Sequence, residues 1–164
     1  TGLAYIDIFN LTKDQLSKGI DGNLWIITNR QKTGSTSNIN MIPVAEKIIK
    51  KYENHPVSSN SGKLLPVYTN QKVNEYLKTI AENCGINKKL TFHCARHTFA
   101  TTVTLGNNVS MESVSKMLGH KSIKTTQHYA KILDSKVSQD MGSLKLVLEK
   151  KNEVQKENDK KLGS

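Results

Sequence analysis

The chain has 164 residues, which is the size of one domain with a hydrophobic core. Twenty-four Lys and Arg residues against 14 Asp and Glu residues give a formal net charge of +10, which favours a polyanionic partner. Two cysteines are too few for a disulfide framework, which argues against a secreted disulfide scaffold and favours a reduced cytosolic setting. The sequence shows no signal peptide and no membrane-length apolar run, which argues against a membrane protein.

The first part of the chain combines a helical stripe with strand-like alternation. Residues 1–20 are predicted to form a helix and a turn. Residues 23–30 and 38–44 are rich in β-branched and aromatic side chains, and the Gly/Ser/Thr-containing residues 31–37 separate them, which predicts a β-hairpin. A proline limits residues 64–69 to an edge strand at best.

Two amphipathic helices are predicted next. Residues 44–54 place lysines on one face, and Val44 and Ile48 are expected to point inward. Residues 70–84 carry a broader apolar face, in which Cys84 is expected to be a small core residue. A glycine follows this second helix and is expected to end it.

Residues 91–132 carry a polar set on short predicted helices. His93 and Arg96 are three residues apart, so they face the same way on a helix. His120 and Tyr129 follow in the same stretch. An arginine can form a bidentate fork on phosphate, a histidine can donate a hydrogen bond or move a proton, and a tyrosine hydroxyl can attack phosphorus.

Turn and capping residues divide this stretch into three helices. The pair Gly106–Asn107 is expected to supply the left-handed residue that stops the first helix. Ser110 is predicted to cap the second helix, and Gly119 to end it, which leaves the second histidine of the polar set in a tight loop. Ser122 can cap the third helix, which carries the tyrosine.

The segments HCARHTFATT, LGHKSIKTTQHYAKI and TGLAYIDIFNLT resemble the catalytic domain of tyrosine recombinases, the phage-type integrases. The resemblance implies a mainly α-helical fold with a small antiparallel β-sheet. It implies a catalytic domain over residues 1–135 of a longer protein whose N-terminal DNA-binding domain is absent here. Residues 136–164 are then expected to form a C-terminal helix and a frayed or disordered tail.

The resemblance also implies a reaction and its partners. Double-stranded DNA would be cleaved and rejoined through a 3′-phosphotyrosine intermediate without metal, ATP or any other cofactor. The protein would act in the bacterial cytoplasm, on the nucleoid, as part of a mobile element. Self-association on DNA, as a tetramer, is expected, with the C-terminal helix either exchanged in trans or folded back on its own domain.

Individual roles follow from the matched positions. Tyr129 would be the nucleophile, Arg96 would neutralise the non-bridging phosphate oxygens, and His120 would donate a hydrogen bond to one of them. His93 would take the tyrosine proton or orient the phosphate. Lys32, before a glycine in the predicted hairpin turn, would protonate the departing 5′-oxygen.

One position departs from the family pattern. Ala4 stands where the family usually has a catalytic arginine after TGL. Arg30 lies two residues before Lys32, so both face the same side of an extended chain, and we hypothesise that Arg30 replaces the missing guanidinium. The alternative is a DNA-backbone contact or a solvated charge. Asp7 matches an acidic position that braces the site, although an exposed helix carboxylate is equally compatible with the sequence.

Basic side chains around the polar set are candidates for DNA contact. Residues 85–136 hold eight basic and two acidic residues. Solubilising lysines offer a simpler explanation for part of this charge. The candidate DNA-contacting residues are Lys88, Lys89, Lys121, Lys124 and His128.

Two alternatives to the recombinase interpretation remain open from the sequence. His93, Cys94 and His97, with Cys84 upstream, could be considered as zinc ligands, but the paired ligand spacing of structural zinc sites is missing. Residues 110–129 also resemble a helix-turn-helix, which would make the chain a non-catalytic DNA-binding module.

Overall fold

The computed structural model describes residues 1–130, 137–138 and 140–149. The chain divides into two units, Thr1–Ala130 and Lys131–Ser164. The first unit is mainly α-helical with a small antiparallel sheet, which confirms the predicted fold class. In the second unit the described residues are helical, and the predicted tail over 150–164 lies outside the described residues. Within the described ranges, no helix is long and apolar enough to cross a membrane.

The secondary structure of the first unit begins with a short helix and a three-stranded sheet, and helices follow. In chain order the elements are α1 (Tyr5–Phe9), a 3-10 turn (Lys13–Gln15), β1 (Leu16–Lys18), β2 (Leu24–Asn29), β3 (Thr36–Asn40), α2 (Pro43–Tyr52), α3 (Pro56–Ser61), α4 (Asn70–Asn83), α5 (Phe92–Thr98), a π-helical segment (Phe99–Thr104), a second 3-10 turn (Leu105–Asn107), α6 (Met111–Met117) and α7 (Ile123–Ala130).

The strands form an antiparallel sheet in the order β1-β2-β3, with Ile26 opposite Ile39 in the predicted hairpin. The return strand ends at Asn40 because Pro43, whose φ is fixed and which has no N–H to donate, begins α2. The third strand is β1, not residues 64–69. That segment is joined to the segment after α1 by the backbone bond from Leu64 N–H to the Leu11 carbonyl, at 2.7 Å, beside an isolated bridge between Thr12 and Lys63.

The hydrophobic core lies on one face of this sheet. Ile26 and Ile39 point into it and are fully buried, and each such side chain stabilises the fold by about 1.5–3 kcal/mol. The rest of the buried cluster comes from the chain start, the segment after α1, the end of the hairpin and the segment after α3. Its members are Leu3, Leu11, Met41 and Leu64.

Two predicted burial patterns were wrong. In α2, Val44 and Ile48 are exposed, whereas Ala45 and Ile49 pack against the core. The helix is therefore turned by about one residue, roughly 100°, from the predicted orientation. Cys84 is exposed at the end of α4, where only Ala81 of the helix is fully buried.

The helix that carries Arg96 changes its hydrogen-bonding pattern before it ends. After α5 the chain widens into the π-helical segment, where the Thr104 hydroxyl donates to the Phe99 and Ala100 carbonyls, at 3.1 and 2.8 Å. The left-handed residue that ends this run is Asn108, with φ of 62°, and not the predicted Gly106–Asn107 pair.

The capping predictions for α6 are confirmed. The Ser110 hydroxyl accepts the backbone N–H of Ser113 at 3.2 Å. At the other end Gly119 adopts φ of 59°, and the N–H of His120 returns to the Ser115 carbonyl at 3.0 Å, which is a Schellman-type end. The chain therefore turns sharply enough to place the residue after Gly119 beside α5.

Candidate active site

The Arg96 guanidinium is the centre of the site. Its side chain is almost completely buried, with 3% of the residue exposed. Nη1 donates to the Gly2 carbonyl at 2.6 Å, and Nη2 donates to the Leu118 carbonyl at 2.7 Å. Burial, reinforced by the nearby charge of Arg30, lowers the pKa of Arg96 from its usual value, yet a guanidinium remains charged in proteins.

His120 lies against this guanidinium in the loop between α6 and α7. Its Nε2 is 3.2 Å from Arg96 Nη2, and its Nδ1 is 2.8 Å from the hydroxyl of Thr126. Burial lowers the pKa of His120 to about 4, and the charges of Arg96 and Arg30 act in the same direction. The imidazole is therefore neutral at pH 7 in the absence of a bound anion.

Tyr129 packs between two imidazole rings and beside Arg96. It is 8% exposed, its ring is stacked on His120 with centroids 6.2 Å apart, and the edge contact with His97 has centroids 4.9 Å apart. Tyr129 also acts on the pKa of Arg96, which it raises against the effect of burial. The structure thus brings Arg96, His120 and Tyr129 together, although 33 residues separate the first from the last in the sequence.

Arg30 enters the same site from the end of β2. Only 11% of its side chain is exposed, and its Nε lies 3.7 Å from Asp7 Oδ2. Asp7 is itself buried, and its other oxygen accepts the backbone N–H of Gln31 at 3.0 Å. Arg30 is half-buried, and its charge lies close enough to Arg96 and His120 to lower the pKa of both groups.

A cavity of about 220 Å³ lies beside Ala4, the residue that departs from the family pattern. Ala4 lines it together with His93 and Arg96, so the two side chains spaced three residues apart do open onto one space. His93 is exposed, and the imidazoles that contact Tyr129 are those of His97 and His120. Lys32 is exposed at the tip of the hairpin.

Comparison with known proteins identifies the family to which the chain belongs. The Phage integrase family profile matches residues 1–136. The chain belongs to this family. Tyrosine recombinase XerC of Rickettsia canadensis is 30% identical over 142 residues, which are 80% of this chain and 43% of the relative. A tyrosine recombinase of Agathobacter rectalis is 32% identical over 151 residues, 83% of this chain and 45% of the relative.

Solved structures of recombinases share the fold. The XerA recombinase superposes with a TM-score of 0.69 at 24% identity, over 87% of this chain and 53% of XerA. XerH bound to a palindromic difH substrate, in a post-cleavage complex, has a TM-score of 0.66 at 18% identity, over 86% of this chain and 42% of XerH. The chain therefore spans about half the length of the recombinases it matches.

The predicted DNA-contacting residues of this integrase-family chain lie on its surface. Lys88 and Lys89 precede α5, Lys121 follows the site histidine, and Lys124 and His128 lie on α7; all five side chains are exposed. The zinc alternative has no ligand set, since no group of three or more His, Cys, Asp or Glu side chains in the described ranges could hold a metal ion.

Two hydroxyl residues of the site were missed by sequence analysis. Thr126 contacts His120, and its position three residues before Tyr129 on α7 was an available signal, because such residues share a helix face. Ser35, in the hairpin turn, donates to the Gly119 carbonyl at 2.6 Å. Nothing in the sequence marked Ser35, because that contact joins positions 84 residues apart.

Gly119 allows Arg30 to approach the backbone, and its replacement by alanine is expected to disturb the site. An added Cβ would collide with Ser37 Oγ and come within 2.7 Å of Arg30 Cδ. The matched control is Gly85→Ala, because Gly85 has φ of 64° and open space around it. Both variants carry the left-handed backbone cost of about 1–2 kcal/mol.

Urea unfolding measures the difference between these two alanine variants. Gly119→Ala is expected to lose a further 1–3 kcal/mol, roughly, in the free energy of unfolding because of the overlap. Equal losses in the two variants would show that the close approach of Arg30 to Gly119 does not constrain the fold.

Proposed function

We propose that the chain is the catalytic part of a site-specific DNA recombinase that cleaves and rejoins DNA through a 3′-phosphotyrosine intermediate. The observation that carries the proposal is the convergence of the buried Tyr129 phenol, the Arg96 guanidinium and the His120 ring. A tyrosine has a reference pKa of about 10, so it requires a neighbouring cation and an acceptor for its proton to act as a nucleophile.

In the proposed reaction, the Tyr129 oxygen attacks a backbone phosphorus and the bond from phosphorus to the 5′-oxygen breaks. Arg96 and Arg30 neutralise the charge that develops on the non-bridging oxygens, and each such donor contributes on the order of 3 kcal/mol. Lys32 supplies the proton to the departing 5′-oxygen. A 5′-hydroxyl of the second strand then attacks the ester, which regenerates the tyrosine and joins the strands.

The two histidines of the proposed mechanism act at different points. His120 is neutral beside two guanidinium groups, and a bound phosphate would oppose their effect and favour the protonated ring that donates to a phosphate oxygen. His93, which opens onto the same cavity as Arg96, would accept the tyrosine proton or orient the phosphate. Because cationic side chains stabilise the charge and the ester conserves the bond energy, the proposed reaction requires neither metal nor ATP.

Double-stranded DNA in the bacterial cytoplasm is the proposed substrate. The exposed lysines around α5 and α7 support this, and so does XerH, whose solved complex contains a difH substrate. Asp7 is proposed to hold Arg30 in place through their ion pair.

Self-association on DNA, as a tetramer with the C-terminal helix exchanged in trans, is the proposed assembly. It is supported by exposed apolar side chains at Met141, Leu144 and Leu148. A chain that ends at residue 136 is expected to sediment on DNA as smaller complexes, and unchanged sedimentation would contradict helix exchange.

A covalent-trapping experiment tests the proposed function. The chain is incubated with nicked duplexes of randomised sequence, from which the short fragment next to the cleavage point dissociates and prevents religation. A protein–DNA adduct that survives denaturation with SDS is expected, and peptide mapping should locate the DNA on a tyrosine. DNA binding without any adduct would instead favour a non-catalytic helix-turn-helix module. The tight turn between α6 and α7 and the exposed lysines near that turn support this alternative.

A further inference from the structure

The Thr126 hydroxyl is a buried polar group that the proposed reaction does not use. Thr126 is completely buried, and its Oγ1 lies 2.8 Å from Nδ1 of His120. The charged and titratable groups that face the same imidazole are Arg96 from α5, Arg30 from the hairpin and Tyr129 from α7. Thr126 is thus the neutral hydrogen-bonding side chain on the side of the ring opposite Arg96.

The position of the histidine hydrogen follows from the two contacts of the ring. A guanidinium has only donors, so the nitrogen 3.2 Å from Arg96 Nη2 must be an acceptor. In a neutral imidazole the other nitrogen then carries the hydrogen, and Nδ1 donates to the Thr126 hydroxyl. When the ring is protonated, Nδ1 still carries that hydrogen, and the new hydrogen appears on Nε2, on the Arg96 side.

We infer that Thr126 is a positioning residue for His120, because it keeps one hydrogen on Nδ1 in both charge states and leaves Nε2 as the atom that gains and loses the proton. The inference rests on the proposed function. It means that His120 can change from acceptor to donor when a phosphate arrives without rotating its ring or changing its tautomer.

The inference also links His120 to the nucleophile. Thr126 and Tyr129 lie three residues apart on α7, and both face the site. The hydrogen bond to Nδ1 therefore forms only when α7 is docked with its tyrosine against the imidazole. His120 is correctly held in the same arrangement of the chain that delivers the phenol.

Nitrogen-15 NMR of the histidine side chains in the unmodified chain tests the tautomer directly. The His120 signals, assigned by their loss in His120→Gln, are expected at pH 7 to show a protonated Nδ1 and an unprotonated Nε2. A His120 ring that carries its hydrogen on Nε2 would overturn the inference, and the tautomer itself is measured in the unmodified chain.

Two replacements of Thr126 separate the hydroxyl from the packing. Thr126→Val keeps the shape and removes the acceptor of the Nδ1 hydrogen, so the imidazole loses one of its two hydrogen-bonding contacts and adduct formation should slow by about ten- to a hundredfold, the range of one hydrogen bond to a charged group. Thr126→Ser keeps the hydroxyl and should retain the wild-type tautomer and a rate within about threefold of wild type.

The result that contradicts this role is an equal loss of rate in both folded variants, because the hydroxyl would then be irrelevant. Failure of the proposed function and failure of the inference about Thr126 give different results. Absence of any adduct from the unmodified chain overturns the proposed function, whereas the wrong tautomer in the same chain overturns the role of Thr126.

Discussion

Replacing Tyr129 by phenylalanine is expected to abolish the covalent protein–DNA adduct completely. The substitution removes one oxygen atom, which is the proposed nucleophile, and leaves the aromatic ring that contacts His97 and His120. The packing of α7 should therefore survive, and DNA binding should remain close to that of the unmodified chain. The measurement is the SDS-resistant adduct on the nicked duplex, together with a mobility-shift assay of the same protein.

The matched control for this experiment is Tyr76→Phe. Tyr76 lies on α4 with its side chain largely exposed, and it is not among the residues that contact Arg96 or His120. The control variant should form the adduct at the unmodified rate. If Tyr129→Phe still forms an adduct, the nucleophile is another residue and the proposed mechanism is wrong.

Replacing Arg30 by alanine is expected to slow adduct formation by about a hundredfold or more, the usual effect of removing one donor from a developing oxyanion. Arg30→Lys should be intermediate, because a lysine keeps the charge and loses the bidentate fork. Single-turnover cleavage rates measure both effects. Urea unfolding of each variant shows whether the unpaired Asp7 carboxylate has also weakened the fold.

A compensating substitution makes the Arg30 experiment specific. If Arg30 supplies the guanidinium that is missing at Ala4, then Ala4→Arg in the Arg30→Ala chain should restore part of the lost rate, since a cavity of about 220 Å³ lies beside Ala4. Lys13→Ala is the matched control, because Lys13 is an exposed cation on a 3-10 turn. A near-normal rate of adduct formation in Arg30→Ala would contradict the hypothesis that Arg30 replaces the guanidinium missing at Ala4.

Local patterns predicted the parts of this molecule that depend on neighbours in sequence. Ser110 and Gly119 bound α6 as predicted, since capping involves only the residues of one helix end. The hairpin was predictable for the same reason, because β2 and β3 are adjacent in the chain and rich in strand-forming residues.

The parts that were not predicted depend on distant residues. Along α2, Val44 with Ile48 and Ala45 with Ile49 form two neighbouring apolar stripes, and only the position of the sheet decides which stripe is buried. The strand β1 has three residues, Leu-Ser-Lys, which are too few for a periodicity and form a strand because the edge of β2 accepts them.

The candidate site shows the same division. Family motifs marked Arg96, His120 and Tyr129 as residues to examine, and the structure brings their side chains into contact. The burial of Arg30 against Asp7 joins the hairpin to α1, and this approach could only be hypothesised from the sequence. Thr126 was not anticipated, because a threonine in a helix has many possible partners.

The carbonyl oxygens of Gly2 and Leu118 fix the Arg96 side chain before any DNA is present. A free arginine side chain carries about 2 kcal/mol of rotamer entropy, which it would lose on gripping a phosphate. Here that freedom is already lost when the polypeptide folds. The Arg96 side chain therefore loses little conformational entropy when a phosphate binds, and its contribution to DNA affinity is not reduced by that entropic cost.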